Sequence, residues 1–346
     1  MSEPTALLRA ALGTLAEARS LPEAEAYDVL VALTASDVPP ALAGALLAAL
    51  RTKGLNADEL RGFARGMRAL ARVPLLPDVG PLVDIVGTGG DASHSFNLST
   101  GTALLAVAAG AKVAKHGNRS VSSRSGSADV LESLGLKLPL DEHDAGECLA
   151  ATGFTFLFAP HYHPAMKAVA PVRAALGIRT VFNMLGPLTN PAAPPYYLIG
   201  AYSLEAMHLI ADTLAGLPIR RAFVVHGAEG WDEPTPVGPF VLCDVADGRW
   251  SEHTRSAADY GLPACSAEDL RGGDASDNAR ALSAVLEGTD RGPHRDALLM
   301  GASLALEVSG LARDALDGVA RAAAAIDSGA AASLLAGLAA FSRSRT

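Results

Sequence analysis

The chain has 346 residues, of which 49% are hydrophobic and 5% aromatic, so alanine, leucine and valine must supply most of a sizeable core. Its net charge of -9 argues against a nucleic-acid or anionic-membrane partner, and an anionic substrate would need a local basic pocket. Cys148, Cys243 and Cys265 are widely spaced without a metal-ligand pattern, which favours reduced cysteines in a cytoplasmic protein. We find neither a signal-peptide pattern nor an apolar run of transmembrane length.

Residues 1–74 are predicted to form a domain of four amphipathic helices. Two apolar stripes recur at helical spacing: Leu8, Leu12 and Leu15, then Leu60, Phe63 and Met67. Two pairs of residues have the spacing of capping boxes: Ser20 with Glu23, and Asn56 with Glu59. Because so small and alanine-rich a bundle cannot bury both stripes, we expect this domain to form a homodimer.

The pattern changes after Pro74 and Pro77, where short apolar strands begin to alternate with helical runs. The strand candidates are 82–86, 111–115, 154–159, 196–202 and 221–226. This alternation predicts an α/β domain with a mostly parallel sheet over residues 75–346, with a largely helical last third. Some helices at about 165–190 are expected to pack on the helical domain.

Two polar loops follow the first two strand candidates. Gly87 to Asp91 is a glycine-rich turn whose consecutive N–H groups can form a nest for an anion. Asn97 to Thr100 precedes an apolar run, and free N–H groups at a helix start also favour phosphate. Lys115, His116 and Arg119 follow the second strand candidate. Anion-binding loops at the ends of two strands predict a ligand with more than one phosphate.

These segments together resemble the anthranilate phosphoribosyltransferase family, and the likeness extends over most of the chain. In that family Gly-Thr-Gly-Gly-Asp, Asn-x-Ser-Thr, Lys-His-Gly-Asn-Arg and Ser-Gly-Ser-Ala-Asp hold phosphoribosyl pyrophosphate, and each motif is present between residues 87 and 129. The resemblance implies a fold like that of nucleoside phosphorylases, with an active site between a small helical domain and a larger α/β domain. It also implies a cytoplasmic homodimer that assembles through the helical domain.

The resemblance assigns site residues position by position. Those implied for phosphoribosyl pyrophosphate are Gly87, Gly90, Asp91, Ser95, Asn97, Leu98, Ser99, Thr100, Lys115, His116, Gly117, Asn118, Arg119, Ser120, Val121, Ser122, Ser123 and Ser127. Those implied for anthranilate are Gly87, His116, Asn118, His163 and Arg173. Those implied for two Mg²⁺ ions are Ser99, Asp232 and Glu233. A guanidinium suits a carboxylate, and Mg²⁺ prefers carboxylate and phosphate oxygens. No residue stands out as a general base.

Several of these residues also fit ordinary structural roles when the resemblance is set aside. Arg173 fits a surface salt bridge, His163 fits a capping or core role, and the pair Asp232-Glu233 fits a solvated loop. Trp231 and Pro234 flank that pair where the family has smaller or aliphatic residues, which leaves the geometry of the loop open.

The implied reaction transfers the phosphoribosyl group of 5-phosphoribosyl 1-pyrophosphate to the amine of anthranilate, in tryptophan biosynthesis. A pyrimidine nucleoside phosphorylase on the same fold is one alternative, but the acidic pair and the Asn-x-Ser-Thr loop favour pyrophosphate with Mg²⁺. A non-catalytic nucleic-acid-binding relative is another, but the intact glycine motif and the acidic charge argue against it. Another aromatic acid as acceptor stays open, because the sequence does not reveal the shape of the acceptor.

Overall fold

The structure, a computed structural model, describes residues 2–35, 37–91, 93–119 and 125–345. Four predicted contacts of phosphoribosyl pyrophosphate lie outside these ranges and stay predictions: Ser120, Val121, Ser122 and Ser123.

The first part of the chain folds as four helices: α1 (Glu3–Ala16), α2 (Glu23–Leu33), α3 (Pro40–Lys53) and α4 (Ala57–Ala69). The capping box of α4 is confirmed, since Asn56 Oδ1 accepts from Glu59 N–H and Glu59 Oε2 accepts from Asn56 N–H. The box predicted at Ser20 is wrong. Pro22, with φ of -59°, occupies the N-cap position of α2, and the Ser20 hydroxyl accepts from Lys53 Nζ instead.

All members of the two apolar stripes except the half-buried Leu12 are buried within the single chain. Leu8, Leu60 and Phe63 are fully buried, and they share a core cluster with Tyr197 and Val224 of the sheet. Neighbouring helices and the sheet of the same chain therefore cover most of the surface that was expected to require a second copy. The packing argument for a homodimer is wrong, and that prediction rests on the resemblance alone.

A seven-stranded sheet forms the centre of the larger part. Its strands are β1 (Leu82–Gly87), β2 (Lys112–Gly117), β3 (Phe154–Phe158), β4 (Tyr196–Gly200), β5 (Arg221–His226), β6 (Phe240–Ala246) and β7 (Arg249–Arg255). Their order is β3-β2-β1-β4-β5-β6-β7, with β1 to β5 parallel and β6 and β7 antiparallel. The fold class is confirmed, as are the five predicted strands. However, β2 runs on to Gly117, so Lys115 and His116 lie within the strand rather than after it.

Helices cover both faces of the sheet. They are α5 (Leu98–Ala108), α6 (Ser127–Ser133), α7 (Glu142–Thr152), α8 (Ala159–Tyr162), α9 (Met166–Leu176), α10 (Phe182–Leu185), α11 (Leu204–Ala215), α12 (Ala275–Leu286), α13 (Pro293–Val308), α14 (Ala315–Asp327) and α15 (Ala330–Arg343). Successive strand residues point to opposite faces, so Leu198 packs with α5 and α13 whereas Tyr197 packs with the N-terminal helices. Helix α9 packs against α3, and α10 against α4.

Among the described residues, no single helix is long and apolar enough to cross a membrane. Helices α14 and α15 are long and apolar enough only as a pair bent by 63°, and several of their apolar side chains, such as Ile326 and Leu338, lie in the core.

Strand β1 stands where the strand order reverses, because the chain passes to β2 on one side and later to β4 on the other. Ligands of open α/β sheets bind beyond the carboxyl ends of the strands at such a point. Here Gly87 of β1 pairs with Gly200 of β4, and a Cβ on Gly200 would overlap the carbonyl oxygen of Asp232. The two glycines thus let the loop after β5 lie directly over the strand ends.

The packing of α4 on α2 is testable at Gly62, where an added Cβ would overlap the carbonyl oxygen of Glu23. We expect Gly62→Ala to lower the free energy of unfolding by about 1–3 kcal/mol, because overpacking outweighs the gain in helix propensity. Gly13 in α1 is the matched control. It has no atom within 4 Å of an added Cβ, so Gly13→Ala should raise that free energy by about 0.5–1 kcal/mol. Urea unfolding measures both, and an equal gain in the two variants would contradict close packing at Gly62.

Candidate active site

A cavity of about 450 Å³ opens beside the carboxyl ends of β1 and β2. Helices α8 to α10 and Met67 of α4 supply the facing wall. All five residues predicted for anthranilate line it: Gly87, His116, Asn118, His163 and Arg173. They are up to 86 positions apart (173 - 87) in the chain, so the fold alone brings them together.

His116 presents a bare ring nitrogen in this cavity. Its Nδ1 lies 3.1 Å from the carbonyl oxygen of Gly186, which can only accept, so the proton of the neutral ring belongs on Nδ1. The other nitrogen, Nε2, is buried and has no hydrogen-bond partner among the described residues. Burial, with the neighbouring His163 as a smaller cause, lowers the pKa of His116 to about 3. The His116 ring is therefore neutral near pH 7, and its Nε2 is a hydrogen-bond acceptor.

His163 packs edge-on against His116, with ring centroids 5.0 Å apart. Burial lowers the pKa of His163 to about 4. Both imidazoles are thus uncharged near neutral pH, and they form an aromatic wall without adding positive charge to the cavity.

Besides the exposed Lys167, Arg173 supplies positive charge to this part of the site. It projects from α9, lies half-buried, and its guanidinium carbon is 5.2 Å from the centroid of the Phe182 ring. Burial lowers the pKa of Arg173. None of the salt bridges formed within the described ranges includes Arg173, so the surface salt bridge considered as its alternative role is absent there. An unpaired guanidinium at a cavity wall suits an anionic ligand.

The glycine turn after β1 holds an acidic side chain in this structure. Gly89 N–H donates to Asp232 Oδ2 at 2.5 Å, and the Thr88 hydroxyl lies 3.5 Å from the same oxygen. Asp232 N–H donates in turn to Asp91 Oδ2 at 3.3 Å. Gly89 and Gly90 have φ of +71° and +73°, which glycine adopts readily. In this structure the Gly89 amide and the Thr88 hydroxyl contact a carboxylate of the same chain, whereas Thr88 N–H donates to the carbonyl oxygen of Gly200. A nest of consecutive amides around a bound anion therefore stays a prediction.

Glu233 reaches the start of α5, where its Oε1 accepts from Ser99 N–H at 3.2 Å. The three residues predicted for Mg²⁺ are therefore neighbours. Burial raises the pKa of both Asp232 and Glu233, and the charges of nearby acids raise them further. These carboxylates do not close on one another as a compact ligand group in the described structure.

Lys115 lies beneath this acidic cluster and is only 1% exposed. Its Nζ donates to the carbonyl oxygen of Ile85 and lies 3.3 Å from Ser99 Oγ. Burial lowers the pKa of Lys115, whereas Asp84, Glu233 and Asp232 oppose that shift. Lys115 therefore supports the loops from below rather than projecting into the cavity.

The other residues predicted for phosphoribosyl pyrophosphate form the rim and floor around the turn. Asn97 precedes α5 and accepts from Asn278 Nδ2 at 2.7 Å, and Ser95 forms an isolated β-bridge with Arg271. Leu98 and Thr100 are buried in the first turn of α5, Ser127 begins α6, and Gly117 ends β2. Arg119 does not face the turn, because it pairs with Asp129 and Glu132 of α6.

Sequence reasoning missed three contributors to the site. Arg179 donates to the carbonyl oxygen of Gly90 and lies 4.0 Å over the ring of Tyr202, so it braces the glycine turn. Asn278 donates a hydrogen bond to Asn97, as described above. Met67 lines the cavity, although its helical spacing indicated only a core residue. The segments that contain Arg179 and Asn278 look like family motifs, but the contacts of these side chains depend on segments distant in the chain. Trp231 is buried in the core and anchors the acidic loop.

Comparison with known proteins places the chain in a family. Residues 79–332 match the α/β domain of a glycosyl transferase family, and residues 9–71 match the helical bundle domain. A curated anthranilate phosphoribosyltransferase from Anaeromyxobacter sp. (strain K) is 48% identical over 326 residues, covering 94% of this chain and 96% of the relative. The chain belongs to the anthranilate phosphoribosyltransferase family. The family member from Moorella thermoacetica is 46% identical and covers 95% of this chain and 96% of its own length.

Solved structures of anthranilate phosphoribosyltransferases share this fold. The enzyme from Thermus thermophilus superposes with a TM-score of 0.90 at 43% identity, covering 96% of this chain and 99% of that chain. The enzyme from Saccharomyces cerevisiae, solved in complex with phosphoribosyl pyrophosphate and Mg, has a TM-score of 0.89 at 27% identity and covers 99% of each chain. The predicted family membership is confirmed.

The neutral state of His116 and His163 is testable by pH titration. We expect their ring ¹⁵N signals, assigned with His116→Gln and His163→Gln variants, to stay unchanged from pH 8 to pH 5, because burial lowers both pKa values to about 3 and about 4. In urea both should titrate near the model-peptide value of about 6.5. Between about pH 6.5 and pH 4 the unfolded chain binds more protons at these two residues, so they reduce stability as pH falls. A native titration midpoint above pH 6 for either ring would contradict the buried geometry.

Proposed function

We propose that the protein transfers the phosphoribosyl group of 5-phosphoribosyl 1-pyrophosphate to the amine of anthranilate, giving N-(5-phosphoribosyl)anthranilate and pyrophosphate, in tryptophan biosynthesis. The observation that carries the proposal is the cavity in which the unpaired Arg173 faces the same space as the glycine turn. One side of this space suits an aromatic carboxylate, and the other suits phosphates. Family membership at 46–48% identity to named relatives supports the same reaction.

On the acceptor side, Arg173 binds the carboxylate of anthranilate by paired N–H donors. His116 Nε2, which has no partner among the described residues, accepts a hydrogen bond from the aromatic amine. This contact orients the amine without removing its proton beforehand, because the lowered pKa of His116 makes it a weak base. The amine is a neutral nucleophile and loses its proton late in the reaction.

On the donor side, the amides of the glycine turn and the hydroxyl and N–H groups at the start of α5 hold the phosphates. The Gly89 amide becomes available to pyrophosphate once the Asp232 carboxylate leaves it. Gly90, Asp91, Ser95, Asn97 and the residues to Ser127 named above remain proposed contacts of this ligand.

The acidic residues fit a hard divalent cation. Asp232, Glu233 and Asp91 offer carboxylate oxygens, and burial, followed by the charges of neighbouring acids, raises the pKa values of Asp232 and Glu233, so a bound cation would stabilise their charged forms. Asp232, Glu233 and Ser99 would hold Mg²⁺, and we expect two ions per subunit. When bound, Mg²⁺ would neutralise the negative charge that develops on the departing pyrophosphate.

The chain itself then has mainly an orienting task. Bond breaking at C1 of the ribose gives a transition state with oxocarbenium character, so no strong nucleophile is needed. Arg173 and His116 align the amine, and the glycine turn with Ser99 aligns the pyrophosphate. Closure of the helical part over the sheet excludes water and limits hydrolysis.

We further propose that residues 1–74 form a homodimerisation domain, that residues 75–346 bind phosphoribosyl pyrophosphate, and that the protein acts in the cytoplasm. The homodimer rests on the family resemblance. Sedimentation at micromolar concentration distinguishes the dimer from a monomer.

The experiment that tests the proposed reaction incubates the protein with phosphoribosyl pyrophosphate, Mg²⁺ and anthranilate, and follows the loss of anthranilate fluorescence. We expect loss that requires all three components. No loss, together with activity on a pyrimidine nucleoside and inorganic phosphate, would overturn the proposal. Activity with another aromatic acid, and none with anthranilate, would change the acceptor but not the reaction class.

Arg173→Ala tests the acceptor side. Losing a charge-assisted pair costs roughly 1.5–3 kcal/mol, so the KM for anthranilate should rise about ten- to a hundredfold. The KM for phosphoribosyl pyrophosphate should change little. Arg173→Lys should restore the lost affinity only in part, since an ammonium cannot match the planar fork of the guanidinium. Equal rises for both substrates would show that Arg173 has a structural role.

Asp232→Asn combined with Glu233→Gln tests the cation site. We expect Mg²⁺-dependent turnover to fall by at least about a hundredfold, because the charge that holds the cation is removed. Thermal stability without ligands should not fall, since the amides relieve the repulsion between buried acids and the new amide oxygen can still accept from Gly89 N–H. Anthranilate binding, followed by fluorescence, should also persist. Wild-type dependence on Mg²⁺ in this variant would show that the buried pair does not hold the cation.

A further inference from the structure

A second group of metal-ligating side chains lies where α11 covers β6 and β7, and none of its members lines the cavity. Cys243 of β6 stands directly opposite Glu252 of β7, so both side chains lie on the same face of the sheet. His208 of α11 meets them there, with its Nε2 2.6 Å from Glu252 Oε2. The ligand atoms of these three residues all lie within 4.8 Å of one another.

We propose that His208, Cys243 and Glu252 bind a transition-metal ion, with Zn²⁺ as the expected occupant. Zn²⁺ binds thiolate sulfur at about 2.3 Å and imidazole or carboxylate atoms at about 2.0–2.2 Å, which places tetrahedral ligands roughly 3.3–3.8 Å apart. The three ligand atoms, which lie within 4.8 Å of one another, reach these separations through small side-chain rotations. A thiolate with an imidazole favours zinc over the hard ions Mg²⁺ and Ca²⁺, and a water completes the four ligands.

The neighbours of His208 hold it in place for this role. Trp250 of β7 stacks on the imidazole, with ring centroids 5.3 Å apart and planes inclined by 15°. The indole N–H donates to Asp212 Oδ1 at 2.7 Å, and Asp212 lies one turn beyond His208 on α11. Side chains that orient a metal-binding imidazole in this way strengthen a metal site.

Charge balance also favours a divalent ion here. Cys243 is fully buried and free of any disulfide. Binding of the ion displaces the thiol proton to solvent, so the thiolate and the Glu252 carboxylate together neutralise the two positive charges. The ion would join α11 to both antiparallel strands and stabilise the edge of the sheet by mass action.

A second cluster in the same chain provides an internal comparison. His143, Asp144 and Glu147 also place ligand atoms within 4.8 Å of one another, but they include no thiol. Arg345 already pairs with both carboxylates of that cluster. A cationic side chain of the protein therefore occupies the position that a metal ion would need.

The test uses the full chain, stripped with a chelator, in the Asp232→Asn/Glu233→Gln background so that the active-site acids do not compete. Co²⁺ is titrated in, and the absorption that arises from charge transfer between a thiolate and Co²⁺ is recorded. We expect one Co²⁺ per chain with this thiolate absorption, its loss on addition of Zn²⁺, and a higher melting temperature with either ion.

Variants then locate the site. Cys243→Ala should abolish the thiolate absorption, and His208→Gln, at a half-exposed helix position that tolerates substitution, should weaken Co²⁺ binding by at least about tenfold. Cys265→Ser and His143→Gln are matched controls and should leave binding unchanged. Absence of thiolate absorption in the parent protein overturns the proposal. So does absorption that persists in folded Cys243→Ala, or an unchanged Co²⁺ affinity in His208→Gln.

Discussion

The carboxylate of Asp232 lies against the glycine turn that follows β1, and the arrangement of the donor side of the active site depends on this contact. Gly89 N–H donates to the carboxylate, and a Cβ on Gly87 would fill the space that the carboxylate occupies. Gly200 leaves similar room for the backbone of Asp232. Because these glycines have no side chains, the loop after β5 closes over the ends of β1 and β4 and carries Glu233 to α5.

This arrangement concentrates negative charge around one buried cation, Lys115. Burial lowers the pKa of Lys115 and raises the pKa values of Asp232 and Glu233, so each charged form is costly on its own. The other basic residue of the same motif, Arg119, is committed to Asp129 and Glu132. In the proposed function, backbone amides, hydroxyls and a divalent cation therefore supply most of the phosphate contacts in an acidic protein.

The acceptor half of the site has a different physical character. Its wall includes two uncharged imidazoles, apolar and neutral polar side chains, the guanidinium of Arg173 and the exposed Lys167. This wall depends on α9 and α10, which pack on α3 and α4, whereas the phosphate loops depend on the sheet. Relative movement of the helical part and the sheet would therefore change the distance between the two substrates, which is the physical basis for the closure proposed above.

Local patterns in the sequence were sufficient to predict the four N-terminal helices, the five parallel strands and the α/β class, because helical and strand periodicities are properties of short segments. They did not reveal β7, because it reads Arg249-Trp-Ser-Glu-His-Thr-Arg255 and is an exposed edge strand without apolar alternation. The apolar run of β6, Phe240–Ala246, was overlooked although it has the composition of a strand. The Ser20 capping box failed because Pro22 sets the start of α2 instead. The leucine stripes were correctly seen as buried faces, but periodicity cannot tell a partner subunit from the chain's own sheet.

The motifs likewise identified the glycine turn, Ser99, Asp232 and Glu233 as members of one site, through their resemblance to a family. Only the tertiary structure decided what each side chain does there. Lys115 points inward beneath Ser99, and Arg119 pairs with α6. Arg173 has no acidic partner among the described residues, and the nitrogen of His116 that lacks a partner there is Nε2. The reason is that charge pairing, burial and tautomer depend on atoms from distant segments, which a local pattern does not contain.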